Sequence, residues 1–409
     1  MYNLLREGIT DKNVISLNNT RKLTIDGQTD FYQVYKIKLD LLYYNDKNGR
    51  ISTWVSQYVS QHGHIDLSDK ENYNNIIGGF VKESNPEAMN KTKNNIEAFG
   101  QQEPGVVLND GRVIDGNRRF TCLRELARED SKFGYFEAVI LEYDEAKHSK
   151  HIKELELQLQ HGKDKPVDYG AIERLVEVYQ NTIDPKIFTN KEYAKYTNSK
   201  LTDVNNDMER ATLMVEFLDF IKAPMQFHIA RDLKIDGPIN ELNNILKGRN
   251  CPEDKELLKR TAFAYISMDP AGDITRYLRN FNKIIPHKEV YETFLEKQAP
   301  ITIKVIDEID SHETISDEII RKDLRSNESL QEELRISLDE AVNKVDSINT
   351  KNTPLRQMKE IRTIIDGIDI NIVKNLKDEQ SDMLGSEITE IEKKMSDIRG
   401  ALNAQRPDP

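Results

Sequence analysis

Residues 113–124 read VIDGNRRFTCLR, and this stretch decides the fold predicted for the first part of the chain. A short apolar run meets the turn-forming pair Asp115-Gly116, and Arg118 and Arg119 follow where a helix is predicted to begin. Glycine permits a sharp turn, a helix N-terminus presents unpaired N–H groups, and guanidinium groups match phosphate oxygens. The spacing leaves two interpretations open: a phosphate-binding turn, or a surface turn before a solvated helix.

The segments around this turn alternate between strand and helix patterns. Apolar runs flank turn-forming residues twice, which is typical of β-hairpins, and the helix after the turn carries Phe120, Leu123, Leu126 and Ala127 on one face. The predicted elements are a hairpin at 22–38 around Asp26-Gly27, one or two helices in 70–99, a hairpin at 106–114, a helix after Asn117 and a strand at 136–141. We therefore predict an α+β domain over residues 1–150.

The remainder is predicted to be mainly α-helical. Within residues 151–225, a short helix, a polar turn at Thr197–Lys200 and a second helix have the size of a helix-turn-helix. Its candidate DNA contacts are Lys191, Lys195, Lys200, Thr202, Asn205 and Asn206. The second helix also carries several acidic residues, which would repel a phosphate backbone. A structural helical hairpin is the alternative.

Two further helical regions are predicted, at 226–300 and 301–409. The first is interrupted at Gly237-Pro238, Cys251-Pro252 and Pro270. The second contains two sets of apolar residues with heptad-like spacing, which favour a helical bundle or short coiled coils. These sets are Leu334, Leu338, Ala341, Val345 and Ile348, and then Ile388, Ile391, Met395, Ile398 and Leu402. Such helices would form a homodimer interface, dock a partner or pack within one chain.

The composition narrows the class of protein. The chain has 409 residues, a net charge of −12 and two cysteines, Cys122 and Cys251, far apart in the sequence. We expect no membrane span, no secretory signal and no disulfide framework, and hence a cytoplasmic location, with nucleoid association in the case of DNA binding. A protein that coats DNA is usually basic, so any nucleic-acid contact must use a local basic patch.

The ordered set of motifs resembles the ParB/sulfiredoxin superfamily, and more closely its ParB branch. YKIKLDLLYYNDKNGRI (35–51) is similar to the opening strand and helix, and IEAFGQQEPGVVL (96–108) to the first nucleotide motif. VIDGNRRFTCLREL (113–126) is similar to the second nucleotide motif, and ELELQLQHGKDKPVDYGAIERL (154–175) to the segment that links the sheet domain to the DNA-binding helices. The resemblance implies a ParB-like α+β nucleotide-binding domain followed by a helix-turn-helix domain.

The resemblance also implies a site for a nucleoside triphosphate, CTP or ATP, with Mg²⁺. Carried over to this sequence, the nucleotide contacts would be Gly100, Gln101, Asp115, Gly116, Asn117, Arg118 and Arg119, and Glu156 would lie near the metal. Two positions depart from the family. Asn117 stands where an acid that assists hydrolysis is common, and Gln160 and His161 stand where the linking segment often has an arginine. Nucleotide binding is therefore expected more than hydrolysis, and any NTPase activity would be weak.

The sulfiredoxin branch needs a cysteine directly after the motif glycine, where this chain has Asn117. Cys122 lies five residues later inside the predicted helix, where a buried structural cysteine is expected. The leading hypothesis is a nucleotide-responsive DNA-binding protein of a prokaryotic or phage setting, in partition, regulation or defence. The alternatives are a ParB-like NTPase or small-molecule kinase, and a helical scaffold with a vestigial pocket.

Overall fold

The structure is a computed structural model that describes residues 2–25, 27–143, 145–161, 170–248, 254–270, 272–349 and 353–404. The chain forms two compact units, one that runs up to Val342 and one that begins at Asn343. An N-terminal mixed β-sheet is followed along the chain by many helices, as the sequence predicts. No helix in the described part of the chain combines the length and the apolarity that a bilayer span requires.

Six strands form one mixed sheet in the order β1-β2-β6-β4-β5-β3. They are β1 (Val14–Ile25), β2 (Gln28–Lys38), β3 (Tyr43–Tyr44), β4 (Gly105–Leu108), β5 (Arg112–Asp115) and β6 (Tyr135–Leu141). Both predicted hairpins are confirmed, because β1 pairs antiparallel with β2 and β4 pairs antiparallel with β5. Asp26 of the first predicted turn lies outside the described residues. The central strand β6 pairs antiparallel with β2 and parallel with β4.

Helices cover both faces of the sheet. They are α1 (Ser52–His62), α2 (Lys70–Ser84), α3 (Pro86–Phe99), α4 (Asn117–Ala127) and α5 (Glu145–His161). Alternation along a strand sends neighbouring side chains to opposite faces. Val107 packs into the core that contains Phe120 of α4, whereas Val106 packs into the core that contains Leu155 of α5. Helices α4 and α5 therefore lie on opposite sides of the sheet, and the turn before α4 lies at the end of β5.

The rest of the described chain is helical. The helices are α6 (Ala171–Thr182), α7 (Asn190–Tyr196), α8 (Leu201–Phe220), α9 (Phe227–Asp232), α10 (Asp236–Lys247), α11 (Lys255–Met268), α12 (Ile274–Ile284), α13 (Lys288–Asp310), α14 (Asp317–Lys322), α15 (Glu328–Asn349), α16 (Thr353–Asp366), α17 (Ile370–Val373) and α18 (Asp378–Ala404). Pro270 separates α11 from α12, as predicted, and Cys251-Pro252 lies outside the described residues.

The predicted break at Gly237-Pro238 is wrong. Both residues lie in the first turn of α10, and Pro238 is buried there. Proline is tolerated in a first turn because its missing N–H would have no intrahelical partner. The domain boundary predicted after residue 300 lies inside α13, which continues through Pro300 to Asp310.

The two heptad-like sets differ in burial. Leu334, Leu338 and Ala341 of α15 are buried within the first unit, where the Leu334 carbonyl accepts a hydrogen bond from the Tyr265 hydroxyl at 2.7 Å. These three members of the set belong to an intramolecular helical bundle, whereas Ile348, its last member, is exposed. In the second unit, four members of the α18 set are exposed: Ile388, Ile391, Ile398 and Leu402.

Candidate functional site

The turn between β5 and α4 has a backbone that only glycine accommodates easily. Gly116 has φ 101° and ψ 18°, and it is the N-cap residue of α4. A Cβ atom at this position would lie 2.9 Å from Phe136 Cζ, so both the backbone angle and the available space favour glycine. A glycine also supplies no side-chain acceptor for the first N–H groups of the helix. The first turn of α4 therefore presents its partial positive charge to whatever lies in front of it.

A cavity of about 420 Å³ lies in front of this turn. Its walls come from six parts of the chain: the turn at 48–51, helix α2, helix α3, the loop at 102–103, residues 114–119 and the end of α5. Ligand cavities in proteins typically measure about 300–1,000 Å³. The cavity thus has the size of a small-molecule site.

Five residues predicted for nucleotide binding line this cavity, namely Asp115, Gly116, Asn117, Arg118 and Arg119. Gly100 and Gln101 are not among its lining residues. Gly100 ends α3 with φ 74°. The Gln101 amide donates to the Glu137 carbonyl at 2.7 Å and accepts from the Glu137 N–H at 2.9 Å. Gln101 therefore braces the loop against β6, and its amide group is occupied by that role.

The two adjacent arginines differ in their pairing. Arg119 forms ion pairs with Glu103 at 3.1 Å and with Asp115 at 3.4 Å. Arg118 is half-buried and has no acidic partner among the described residues. Burial lowers the pKa of the Arg118 guanidinium, and the nearby positive charge of Arg50 lowers it further. An arginine in a protein stays protonated, so the cavity holds a partly desolvated positive charge without a counter-ion.

Asn117 also presents a polar atom without a partner at this helix end. Its side-chain oxygen Oδ1 is buried and accepts no hydrogen bond from the described residues. A buried polar atom without a partner costs about 1–3 kcal/mol, so its position on the cavity calls for a physical explanation. Asn117 and Arg118 are consecutive residues in the first turn of α4. An unsatisfied acceptor and an unneutralised guanidinium thus occur together at one helix N-terminus, on one cavity.

Glu156, the residue predicted to lie near the metal, is already engaged by other side chains. Glu156 is buried, and its two carboxylate oxygens lie 3.1 Å from Lys153 Nζ and 3.1 Å from Gln160 Nε2. Asp115 is paired with Arg21 at 2.9 Å in addition to Arg119. No group of three or more His, Cys, Asp or Glu side chains that could hold a metal occurs among the described residues.

Sequence reasoning missed other members of the site. Asn48 and Arg50 line the cavity from the short 3-10 turn Gly49–Ile51, where the Asn48 side chain accepts from the Arg50 N–H at 3.0 Å. Their local indication is a glycine close to an arginine in a polar turn, a combination that the 115–119 motif shares. Ser84, Thr92 and Asn95 are contributed by α2 and α3, and no local pattern marks them.

Buried carboxylates on α6 connect the cavity turn to the helices that follow. Thr53 Oγ1 donates to Glu173 at 2.6 Å, and Thr53 follows the cavity-lining turn by two residues. Glu177 lies against Gly49, since a Cβ atom there would come within 2.8 Å of its Oε1. The Tyr193 hydroxyl of α7 donates to Glu177 at 3.2 Å. Helix α6 thus contacts both the cavity wall and α7.

Helices α7 and α8 are joined by residues 197–200, where Asn198 has a positive φ of 51°. The predicted pair of helices and its turn are therefore present. Lys191, Lys195 and Lys200 are exposed around this turn and make no ion pair with described residues. By contrast, four acidic residues of the pair have cationic partners: Glu192 with Lys150, Asp207 with Arg174 and Arg210, Glu209 with Lys247, and Glu216 with Lys259. The surface of the turn is therefore more basic than its sequence indicates.

The polar residues predicted to read DNA bases are placed unequally. Thr202 and Asn205 are exposed, and Asn205 accepts a hydrogen bond from Asn190 at 2.8 Å. Asn206 accepts from Asn243 at 3.0 Å and from Lys247 at 2.9 Å, both on α10. Asn206 therefore holds α10 against α8, and its side-chain oxygen is already engaged.

Cys122 is buried in the core of α4, as predicted, and burial raises the pKa of its thiol to about 11. A thiol with that pKa is a weak nucleophile at neutral pH. This cysteine therefore adds no redox or nucleophilic chemistry to the adjacent cavity.

Comparisons of the chain with protein-family models, with curated proteins and with solved structures found no match. The resemblance to the ParB branch therefore stays a prediction that rests on the sequence motifs.

Proposed function

We propose that this chain is a ParB-like, nucleotide-responsive DNA-binding protein of a prokaryotic or phage setting. One observation carries the proposal: Arg118, without an acidic partner, and the unsatisfied Oδ1 of Asn117 lie together at the N-terminus of α4, on a cavity of about 420 Å³. Helix N-termini and arginines are the usual protein ligands of phosphate.

The other walls of the cavity support a nucleotide over a simple phosphate ion. Apolar Val81 and Ile96 line it beside polar Ser84, Thr92 and Asn95. A surface of this kind suits a base and a sugar, which present both apolar faces and polar edges. The ligand class is therefore a nucleoside triphosphate, CTP or ATP, whose phosphates point toward Arg118. Magnesium enters this proposal only as the counter-ion that the phosphates themselves carry.

The residues favour binding over hydrolysis. Asn117 occupies the position in the first turn of α4 where a carboxylate would be needed as a base, and an amide does not accept a proton at neutral pH. Asp115 is held by Arg21 and Arg119, so its negative charge is already neutralised. Glu103, the other carboxylate that lines the cavity, is paired with Arg119 as well. Neither carboxylate is therefore poised as a base for the alternative, an NTPase or a small-molecule kinase.

The contacts of α6 connect the cavity to the α7–α8 pair, so that nucleotide binding could displace α7. A ligand that draws Arg50 toward its phosphates would move the turn that carries Gly49, against which Glu177 lies. Glu177 accepts the hydrogen bond of Tyr193, so a shift of this turn would reach α7. We propose that DNA affinity at the exposed lysines of α7–α8 depends on cavity occupancy in this way. The three unpaired lysines are the phosphate contacts of that proposal.

Self-association through α18 completes the proposal. Its exposed apolar set has heptad spacing, and its flanking charges favour one direction of pairing. A parallel pair would bring Glu387 to Glu392 and Lys394 to Arg399 of the second copy, which are like charges. An antiparallel pair separates these positions, since they then lie on opposite sides of the apolar seam. We therefore propose an antiparallel homodimer.

Thermal-shift measurements with CTP, ATP, GTP and UTP, each with Mg²⁺, test the nucleotide site. At least one nucleotide should raise the Tm of the wild type, and Arg118→Ala should abolish most of that shift. Arg128→Ala is the matched control, because Arg128 is exposed at the other end of the same helix and bonds to Asn75 at 3.0 Å. A wild type that no nucleotide stabilises, or an Arg118→Ala variant that responds like Arg128→Ala, would overturn the proposal.

A further inference from the structure

Phe99, the last residue of α3, is 71% exposed. A phenylalanine this exposed leaves most of a large apolar ring in water, and proteins normally bury such rings. Its neighbours in the chain line the cavity: Asn95 and Ile96 precede it, and Gln102 and Glu103 follow it. The exposed ring therefore lies at the rim of the candidate nucleotide site.

Helix geometry puts Phe99 on the cavity-facing side of α3. Thr92, Asn95 and Ile96 all line the cavity, and Phe99 completes the i, i+3, i+4, i+7 series that shares one face of a helix. Side chains on a helix lean toward its N-terminus, so the surface that Phe99 covers lies over the turn of Asn95. Phe99 therefore lies on the same face of α3 as these three cavity-lining residues, one turn beyond Asn95 at the end of the helix.

The backbone around the ring is fixed. Gln102 Nε2 donates to the Phe99 carbonyl at 2.6 Å, and the Gly100 N–H donates to the Ile96 carbonyl at 2.8 Å. The first bond ties the end of α3 to the loop that forms the cavity rim. The ring is thus carried by an anchored helix end, which is a suitable base for a specific contact.

We propose that Phe99 is the base-stacking residue of this site, covering the nucleobase of a nucleotide whose phosphates bind at the N-terminus of α4. This inference rests on the proposed nucleotide-binding function. An aromatic ring can stack on any base, because every base has a π-face, and the ring and the base then leave water together. Phe99 therefore contributes affinity for nucleotides over inorganic phosphates, while the choice among bases falls to the polar groups of Ser84, Thr92 and Asn95.

Isothermal titration with three probes separates stacking from phosphate binding: CTP, ATP and inorganic tripolyphosphate, each with Mg²⁺. The wild type is compared with Phe99→Ala, Phe99→Trp and Arg118→Ala. Phe31→Ala is the matched control, since Phe31 is 67% exposed but lies on β2, away from the residues that line the cavity.

Phe99→Ala should weaken the better-bound nucleotide about tenfold and leave tripolyphosphate affinity unchanged. Phe99→Trp should retain nucleotide affinity, Phe31→Ala should match the wild type, and Arg118→Ala should weaken all three probes. If the wild type binds a nucleotide and Phe99→Ala binds it equally well, the stacking role is overturned while the phosphate site stands. An equal loss of tripolyphosphate affinity in Phe99→Ala would also overturn it. A wild type that binds none of the probes would remove both proposals.

Discussion

The carboxylate of Glu177 accepts a hydrogen bond from the Tyr193 hydroxyl at 3.2 Å, which joins α6 to α7. Both residues are buried, and the Glu177 side chain also lies against Gly49, which stands between the cavity-lining residues Asn48 and Arg50. A carboxylate held between two elements transmits displacement only if both contacts persist. Removal of the Tyr193 hydroxyl should therefore break the contact between α6 and α7 and leave the cavity residues unchanged.

Tyr193→Phe should lower the free energy of unfolding by about 1–2 kcal/mol, because a buried carboxylate loses a hydrogen bond. Nucleotide affinity should stay within about twofold of wild type, whereas the effect of nucleotide on DNA affinity should shrink. Urea unfolding and DNA binding with and without nucleotide measure the two effects. Tyr2→Phe is the control, as Tyr2 bonds to Asp11 on the exposed surface. An undiminished nucleotide effect in Tyr193→Phe would contradict this route.

Gly116→Ala should destabilise the fold by about 1–3 kcal/mol, because alanine is strained at φ 101° and its Cβ would crowd Phe136. Gly79→Ala is expected to have the opposite effect on stability. Gly79 lies within α2, and no atom lies within 4 Å of a Cβ added there, so alanine should stabilise the helix by about 0.5–1 kcal/mol. Thermal unfolding of both variants checks the pair. Equal effects of the two substitutions would show that the turn does not need glycine.

Lys195→Ala and Lys200→Ala should each weaken DNA binding and reduce the slope of log K against log salt by about 1. The reason is that both lysines are exposed beside the α7–α8 turn and make no ion pair with described residues. Lys304→Ala is the matched control, because Lys304 of α13 is paired with Glu333 of α15 and lies outside the α7–α8 pair. Fluorescence anisotropy of labelled DNA over a range of salt gives the slopes. A salt slope unchanged in both variants would exclude this turn as the DNA contact.

The direction of α18 pairing can be tested by reversing one charge. Glu387→Lys should strengthen a parallel dimer, because it replaces the repulsion between Glu387 and Glu392 of the second copy with an attraction. It should not strengthen an antiparallel dimer, in which these two positions lie on opposite sides of the apolar seam. Sedimentation equilibrium provides the dissociation constants. Ile391→Asp should disrupt the dimer, whereas Thr389→Asp is the control because Thr389 lies outside the apolar set of α18. A monomeric wild type would remove the dimer from the proposal.

Glu192 makes the α7 region sensitive to acid. Hydrogen bonds, first from the Thr189 backbone N–H and then from Lys150, lower the pKa of its carboxyl to about 2. A carboxyl with a depressed folded pKa stabilises the fold above its unfolded pKa of about 4.3, and this stability is lost as pH falls toward the folded value. The wild type should therefore exceed Glu192→Gln in stability at neutral pH, and the difference should vanish between about pH 4.5 and pH 2. Urea unfolding across this range checks it; a pH-independent difference would contradict the assignment.

The sequence predicts those features that depend on neighbouring residues in the chain. The hairpins were predictable because turn residues sit between apolar runs, and the 115–119 part of the cavity because glycine and arginines adjoin in one motif. The walls from α2 and α3 were not, since Ser84 and Asn95 meet the motif only through tertiary packing. Likewise, Asn206 carries no mark in the sequence of its engagement with α10.

Charge pairing was equally hidden from the sequence. The acidic residues of α8 predict repulsion of DNA when they are counted along the helix. In the structure Asp207 is buried between Arg174 and Arg210, and Arg174 comes from α6. The net charge of the segment therefore gave the wrong charge for the surface of the α7–α8 turn, because neutralising partners such as Arg174 lie on other helices.

The amide of Gln101 exchanges a donor and an acceptor with the backbone of Glu137, much as a residue of an added strand would. The side chain thereby extends the sheet by one unit beyond β4 and immobilises the loop that carries Gln102 and Glu103. A loop that is ordered before a ligand arrives loses little conformational entropy when the ligand binds. The rim of this cavity is therefore preorganised, and the entropic penalty of association falls mainly on the ligand.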